Sequence, residues 1–191
     1  PPAAVQALVD DDIHVMMQHG FSQGSRYTDA DYADAGVEFV DDFYLLASMA
    51  RVLVKFMPFT PEQIALMKEE QIIFSTQDAA ALDKAYVQSL IDKKITALAM
   101  NFIRDAKDNP VVDRILTETL SVTALNIALS NFLLPLVAEL AGNSRFRFAL
   151  QKRPALMESV YCYGGEVCHK EVADLLGFPY RDIVSLCWDL N

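Results

Sequence analysis

Short apolar runs alternate with amphipathic stretches in this chain, and that rhythm constrains its fold more than any other feature. The runs RVLVKF (51–56), QIIFST (71–76) and ITALAM (95–100) have the length and branched side chains of buried strands. Helix signals lie before and between them: Thr28, Asp41 or Asp42, and Thr60 followed by Pro61 are suited to begin helices. With IHVMMQ and VEFV, the pattern predicts about five strands joined by right-handed crossovers. We therefore expect an α/β fold, an open parallel sheet with helices on both faces.

The second part of the chain is predicted to be mostly helical. Residues 117–140 are almost wholly apolar, which predicts one long helix that Pro135 bends or breaks. Its polar interruptions favour a buried core helix over a membrane span. Asn143 and Ser144 are suited to cap a further helix, and Gly177 to end the last one.

Composition excludes several classes of function. The net charge of −10 is spread along 191 residues, which argues against binding to nucleic acid or to an anionic membrane surface. The three cysteines, Cys162, Cys168 and Cys187, lack the spacing of metal ligands, so we expect reduced thiols and no metal site. PPAAVQALVDDD has no hydrophobic signal core, which predicts a cytoplasmic location.

Several motifs, in this order and spacing, resemble one known family. They are GFSQGSRYTDADYADAGVEFVDD (20–42), ALSNFLLPL (128–136) and RPALMESVYCYGGEV (153–167). Together the motifs resemble the substrate domain of alanine dehydrogenase and of the alpha subunit of pyridine nucleotide transhydrogenase. The resemblance implies a flavodoxin-like sheet. In that family a nucleotide-binding domain separates two segments of the substrate domain. Here a short bridge stands in its place, so residues 1–191 are expected to form a single domain from segments 1–103 and 123–191.

The resemblance also assigns candidate site residues, and two of them depart from the family pattern. The strand 51–56 corresponds to a family strand that ends in lysine-x-lysine, where the second lysine holds the substrate. Lys55 matches the first lysine, and Met57 occupies the place of the second. Asp78, preceded by Gln77, stands where alanine dehydrogenase has a catalytic histidine, and Asn131 matches an asparagine that faces the cofactor. The resemblance thus gives Lys55, Gln77, Asp78 and Asn131 as substrate-binding candidates. No catalytic residue is expected, and for Asn131 a buried packing role is favoured.

The chain has no G-x-G-x-x-G turn for a dinucleotide. No cofactor is therefore expected, unless a partner chain supplies NAD(P). These departures favour a pseudoenzyme, a non-catalytic relative that acts as a binding or oligomerisation module. The alternative is the substrate-domain subunit of a split, alanine dehydrogenase-like NAD(P)-dependent oxidoreductase, completed by a separate nucleotide-binding chain. Under either interpretation a homodimer is predicted, because loss of a domain exposes the surface that the domain covered.

Overall fold

The computed structural model describes residues 1–22, 26–105, 107–119, 121–142 and 145–188. The strands are β1 (Met16–Gln18), β2 (Glu38–Val40), β3 (Val52–Val54), β4 (Ile72–Ser75), β5 (Thr96–Ala99), β6 (Val160–Tyr163) and β7 (Glu166–Val167). The helices are α1 (Pro2–Asp10), α2 (Asp29–Asp34), α3 (Phe43–Met49), α4 (Pro61–Leu66), α5 (Lys84–Asp92), α6 (Val111–Glu118), α7 (Val122–Gly142), α8 (Phe146–Lys152), α9 (Ala155–Ser159), α10 (Lys170–Leu176) and α11 (Ile183–Trp188). Short 3-10 turns follow β4 and β5.

The strands form two sheets. β1 and β2 make a parallel pair, and β3-β4-β5-β6-β7 is a five-stranded sheet in which β3, β4 and β5 are parallel. The five strands expected from the sequence are all present, and the α/β class with parallel strands is confirmed. The expectation of one continuous sheet is corrected, because the β1-β2 pair and the five-stranded sheet are not joined by strand pairing among the described residues. β6 and β7 add an antiparallel hairpin that the sequence pattern did not indicate.

Helices cover both faces of the five-stranded sheet, as expected. Alternate strand residues point to opposite faces. Leu53 and Ile73 therefore pack beside α3, α4 and α5, whereas Phe74 and Leu98 pack beside α7, α8 and α9. A third, smaller cluster centred on Tyr32 joins α1 and α2 to the β1-β2 pair.

The predicted helix starts are confirmed where the capping side chain bonds a residue only a few positions later in the sequence. Thr28 and Thr60 each form a capping box with the residue three positions later, and the Asp42 carboxylate accepts a hydrogen bond from the Leu45 N–H. After α2 the chain turns at Gly36, whose φ is +88°. A Cβ there would lie 2.9 Å from a Val9 methyl group, so only glycine fits between α2 and α1.

The predicted helix over residues 117–140 is in fact two helices, α6 and α7. Thr119 has extended backbone angles after α6, and the Ser121 Oγ accepts a hydrogen bond from the Ala124 N–H at the start of α7. Serine and threonine side chains compete for backbone groups, so this polar segment interrupts an otherwise helical run. α7 continues through Pro135. The predicted cap at residues 143 and 144 lies outside the described residues. Gly177 ends α10 as predicted, but α11 follows it.

The expectation that the apolar helix is buried is wrong for most of α7. Only Leu136 and Leu140 are buried, both in its second half, while Val122 is 75% exposed. The sequence argument used apolar content, which does not say what lies beside a helix. Among the described helices, α7 is the one that is long and apolar enough to cross a membrane by length and composition alone.

The bridge between the two segments is a tight loop followed by α6. The Asp105 carboxylate accepts hydrogen bonds from the backbone N–H groups of Lys107 and Asn109, at 2.8 and 3.0 Å, and pairs with Arg114 at 3.1 Å. The two backbone bonds are the main reason that the pKa of Asp105 falls to about 2. α6 then places Val112 in the same cluster as Ile103 and Leu136. The single-domain organisation remains a prediction.

Candidate functional site

The candidate site lies where the parallel strands β3, β4 and β5 end. The carboxyl ends of parallel strands meet at one edge of a sheet, which is where open α/β folds bind ligands. Lys55 follows β3, Gln77 and Asp78 follow β4, and Asn101 follows β5. The strand order therefore brings three of the four predicted candidates to a common edge.

Lys55 is held by the start of α4. Its Nζ donates a hydrogen bond to the Gln63 Oε1 at 2.9 Å, and the same oxygen accepts the Thr60 N–H at 3.1 Å. The ammonium also lies 5.5 Å from the centre of the Phe59 ring, within cation–π range. Partial burial lowers the pKa of Lys55, because desolvation disfavours the charged form. The capping box of α4 thus orients the one lysine that the resemblance retains.

Met57 turns towards solvent. Its side chain is 62% exposed, two residues beyond Lys55. A thioether is at most a weak acceptor and carries no charge, so it cannot pair with a carboxylate. The resemblance places a substrate-binding lysine at this position. Met57 instead adds exposed apolar surface to the edge.

Gln77 is fixed by a residue that the sequence argument missed. The Asn101 Oδ1 accepts the Gln77 N–H at 2.8 Å, and the Asn101 Nδ2 donates to the Gln77 carbonyl at 2.7 Å. This pair of bonds joins the segments that follow β4 and β5. The Gln77 side chain is buried, and its Oε1 has no hydrogen-bond partner among the described residues. An asparagine directly after the apolar run 95–100 was the signal that could have revealed it.

Asp78 has a local role in the structure. Its side chain is exposed, and its Oδ1 accepts the Ala80 N–H at 2.9 Å, which caps the 3-10 turn after β4. Asn131 is exposed on α7, so the expected buried packing role is wrong. Within the described part of the chain, no hydrogen bond joins Asn131 to Lys55, Gln77 or Asp78.

Buried polar groups also lie behind this edge, close to the chain that follows β5. The His169 ring lies 4.4 Å from the Phe102 ring, and its Nδ1 is buried without a hydrogen-bond partner in the described residues. Burial lowers the pKa of His169. The Tyr161 ring also packs on Phe102, at 6.2 Å between ring centres. The sequence had treated Cys168-His169 only as an unsuitable metal pair.

Among the described residues there is neither a dinucleotide-binding turn nor a cluster of metal ligands. A dinucleotide needs a glycine turn that opens a helix after a strand. Gly36 and Gly177 follow helix ends instead, and Gly164 and Gly165 form the turn between β6 and β7. No group of three or more His, Cys, Asp or Glu side chains within the described ranges could hold a metal ion. We therefore derive no chemistry through either group.

A family model and several known relatives match part of the chain. The family model described as "Alanine dehydrogenase/PNT, N-terminal domain" matches residues 1–117. Alanine dehydrogenase of Methanococcus maripaludis is 30% identical over 103 residues, which cover 54% of this chain and 27% of that protein. D-3-phosphoglycerate dehydrogenase of Methanocaldococcus jannaschii is 36% identical over 88 residues, 40% of this chain and 17% of that protein. The chain therefore covers only about a quarter of the length of its alanine dehydrogenase relatives.

Solved structures share the fold. A structure of L-alanine dehydrogenase superposes with a TM-score of 0.78 at 12% identity, covering 92% of this chain and 94% of that one. A transhydrogenase from Sinorhizobium meliloti superposes with a TM-score of 0.53 at 18% identity, covering 60% and 35%. Identities this low establish the fold alone. The family model matches more than half of the chain and therefore shows that this chain belongs to the alanine dehydrogenase/PNT N-terminal domain family, whose fold it shares.

Proposed function

We propose that this chain is a non-catalytic member of its family that acts as a binding and oligomerisation module. One observation carries the proposal: among the described candidate residues at the edge formed by β3, β4 and β5, Lys55 is the one cation, it is already bonded to Gln63, and Met57 is exposed beside it. A small 2-oxo or amino acid carboxylate is normally held by charge-assisted hydrogen bonds. One lysine shared with a helix cap gives a weak site for such a ligand.

The edge is also poorly equipped for proton transfer. Asp78 occupies the place of the expected histidine, and its carboxylate is committed to the Ala80 N–H. A carboxylate at this position repels a carboxylate substrate instead of polarising its carbonyl group. The described histidine that follows the β6-β7 hairpin is His169, and its ring packs on Phe102.

We expect no hydride transfer by the chain alone. Absorbance at 340 nm should stay at background when the protein is mixed with NADH or NADPH, pyruvate and ammonia, or with NAD or NADP and L-alanine. Turnover above about 0.01 s⁻¹, well below the usual range of enzymes, would contradict the proposal.

A binding measurement with a matched variant examines the same edge directly. Met57→Lys restores a second ammonium next to Lys55 and is expected to tighten pyruvate binding by about tenfold, on the order of 1.4 kcal/mol. Met57→Gln is the uncharged control, with no such gain. Isothermal titration calorimetry with pyruvate checks both. Equal affinity for the wild type and Met57→Lys would mean that Met57 does not lie at the ligand position.

The second candidate is a subunit of a split NAD(P)-dependent oxidoreductase. The exposed first half of α7 favours it, because the apolar residues Val122 and Ile127 lie in the open directly after the bridge. Affinity purification from the native cell should then recover a dinucleotide-binding polypeptide in stoichiometric amount. If the folded chain is recovered alone, the split oxidoreductase is contradicted and the binding module remains the proposed function.

The same surface supports a homodimer. Exposed apolar side chains on one helix can be covered by a second copy of the chain. We expect light scattering to give about twice the mass of one chain at micromolar concentration, and Ile127→Glu to shift the protein towards the monomer. Glu139→Gln, which lies on the partly buried second half of α7, serves as the control. A monomer for the wild type would contradict the prediction.

A further inference from the structure

Lys55 has uncharged neighbours at its ammonium group. Within the described ranges no carboxylate pairs with it, whereas Lys152, for example, pairs with the Glu139 carboxylate at 3.2 Å. The Lys55 Nζ instead donates to the side-chain amide oxygen of Gln63 at 2.9 Å and lies 5.5 Å from the centre of the buried Phe59 ring. Neither neighbour favours the ammonium form as strongly as a carboxylate would.

The position of this amine is fixed at both ends of the lysine. The Lys55 N–H donates to the Phe74 carbonyl at 3.1 Å, which ties its backbone to β4. The Gln63 oxygen that accepts the Nζ also accepts the Thr60 N–H, so the capping box of α4 holds the acceptor in place. Partial burial lowers the pKa of Lys55 and so increases the share of neutral amine. A fixed and partly desolvated lysine is suited to act as a nucleophile towards a carbonyl group.

The residues at the same edge favour a ligand without a negative charge. Asp78 follows the neighbouring strand β4 and has an exposed side chain, and its carboxylate disfavours an anion at this edge. Met57 contributes alkyl and thioether surface instead of a second ammonium group. An aldehyde with a short alkyl chain combines a carbonyl group for the amine with an uncharged, apolar remainder.

We propose that Lys55 binds uncharged aldehydes covalently, as a reversible imine, at the edge formed by β3, β4 and β5. The amine nitrogen adds to the carbonyl carbon, and the resulting carbinolamine loses water as the C=N bond forms. One amine and one aldehyde thus give one imine and one water, with no oxidant or reductant. Once solvent protonates the imine nitrogen, it keeps one N–H for the Gln63 oxygen. The inference rests on the proposed function, because it treats this edge as a binding site and not as a site of hydride transfer.

Reductive trapping with butanal tests the proposal. Sodium cyanoborohydride at neutral pH converts each imine into a stable alkylated lysine, which peptide mass spectrometry locates. In the wild type, the adduct at Lys55 is expected to exceed the adducts at the exposed Lys94 and Lys107 by at least about fivefold. Glyoxylate, an aldehyde that carries a carboxylate, should show a smaller preference for Lys55. Each ratio compares lysines within one reaction, so it is independent of the intrinsic reactivity of the probe.

Gln63→Glu tests the physical cause of the preference. Its carboxylate would pair with Lys55 and favour the ammonium form, while a glutamate at this position still completes the capping box with Thr60. The adduct at Lys55 should therefore fall by at least about fivefold relative to the adduct at Lys94. Gln151→Glu adds the same charge at an exposed position of α8, which packs on the other face of the five-stranded sheet, and should react as the wild type does. Circular dichroism checks that both variants are folded.

Three results would overturn the proposal. Equal adducts at Lys55, Lys94 and Lys107 in the wild type would show that Lys55 reacts as an ordinary surface amine, whatever the variants do. Undiminished trapping in folded Gln63→Glu would show that the uncharged surroundings do not set its reactivity. A stronger preference for Lys55 with glyoxylate than with butanal would assign the edge to carbonyl compounds that carry a carboxylate. Hydride transfer by the chain alone would instead contradict the proposed function, so the two failures are distinguishable.

Discussion

Replacement of Gln71 by methionine is expected to lower the free energy of unfolding by about 3–4 kcal/mol, since it leaves one buried and two partly buried backbone groups without partners. Gln71 is buried directly before β4. Its Nε2 donates to the carbonyls of Ala47 and Ala50, at the end of α3, and its Oε1 accepts the Lys68 N–H at 2.7 Å. Methionine has a similar volume but can make none of these bonds, so the loss reports hydrogen bonding rather than a cavity.

Urea unfolding followed by circular dichroism measures this change. Gln88→Met is the matched control, because Gln88 is exposed on α5 and bonds only the Asp92 carboxylate, at 2.8 Å. We expect the control to change the free energy of unfolding by less than about 0.5 kcal/mol. A loss below about 1 kcal/mol for Gln71→Met would mean that water replaces the glutamine at these carbonyls.

Gln71 also shows why sequence reasoning reached some contacts and not others. Thr28 and Thr60 were predicted as caps because a capping box involves residues only three positions apart. Gln71 reaches 24 residues back to Ala47, and nothing in the sequence QIIFST marks that partner. Local signals fixed where helices begin, whereas bonds between distant segments required the folded chain.

The same distinction applies to the sheet. Each parallel strand was recognisable as an apolar run, but the run itself does not say which strands pair. The interruption between β1 and β3 and the antiparallel pairing of β6 depend on partners far away in sequence. For α7, apolar content predicted burial, yet only Leu136 and Leu140 of this helix are buried.

The candidate site was partly predictable. Strand ends in parallel sheets meet at one edge, so Lys55 and Gln77 could be placed near each other from the sequence. The hydrogen bonds of Lys55 and Gln77 could not be predicted from the sequence, because they depend on Gln63 and Asn101, which lie on other elements. The resemblance indicated which sequence positions belong to the candidate site. The structure showed which hydrogen bonds the residues at those positions form.

Alkaline pH is expected to destabilise the protein steeply, through groups that must stay protonated in the core. Burial, with a smaller contribution from Tyr86, raises the pKa of the Tyr161 hydroxyl well above 10. Burial and nearby Cys168 likewise raise the pKa of the Cys162 thiol well above 9. The unfolded chain releases these protons near pH 9 and 10, whereas the folded chain keeps them. Stability is therefore unaffected by either group below about pH 8 and falls as pH rises above their unfolded pKa values.

Each such group costs about 1.4 kcal/mol for every pH unit above its unfolded pKa. Between pH 8 and 11, Cys162 and Tyr161 together should remove about 4 kcal/mol from the free energy of unfolding. Tyr86 and Cys168, whose pKa values burial raises to about 12, act in the same direction. Urea midpoints measured at pH 8, 9, 10 and 11 with a reducing agent give the profile.

Variants separate the contributions of the two core groups. Cys162→Ala should remove about half of the decline between pH 9 and 10, because Cys168 also contributes there, and Tyr161→Phe should reduce only the decline above pH 10. Tyr44→Phe alters a tyrosine that is 63% exposed and should leave the profile unchanged. A flat profile to pH 11 for the wild type would show that water reaches Tyr161 and Cys162. That result would also weaken the case for a close-packed core behind β5, because only exclusion of water keeps these protons in place.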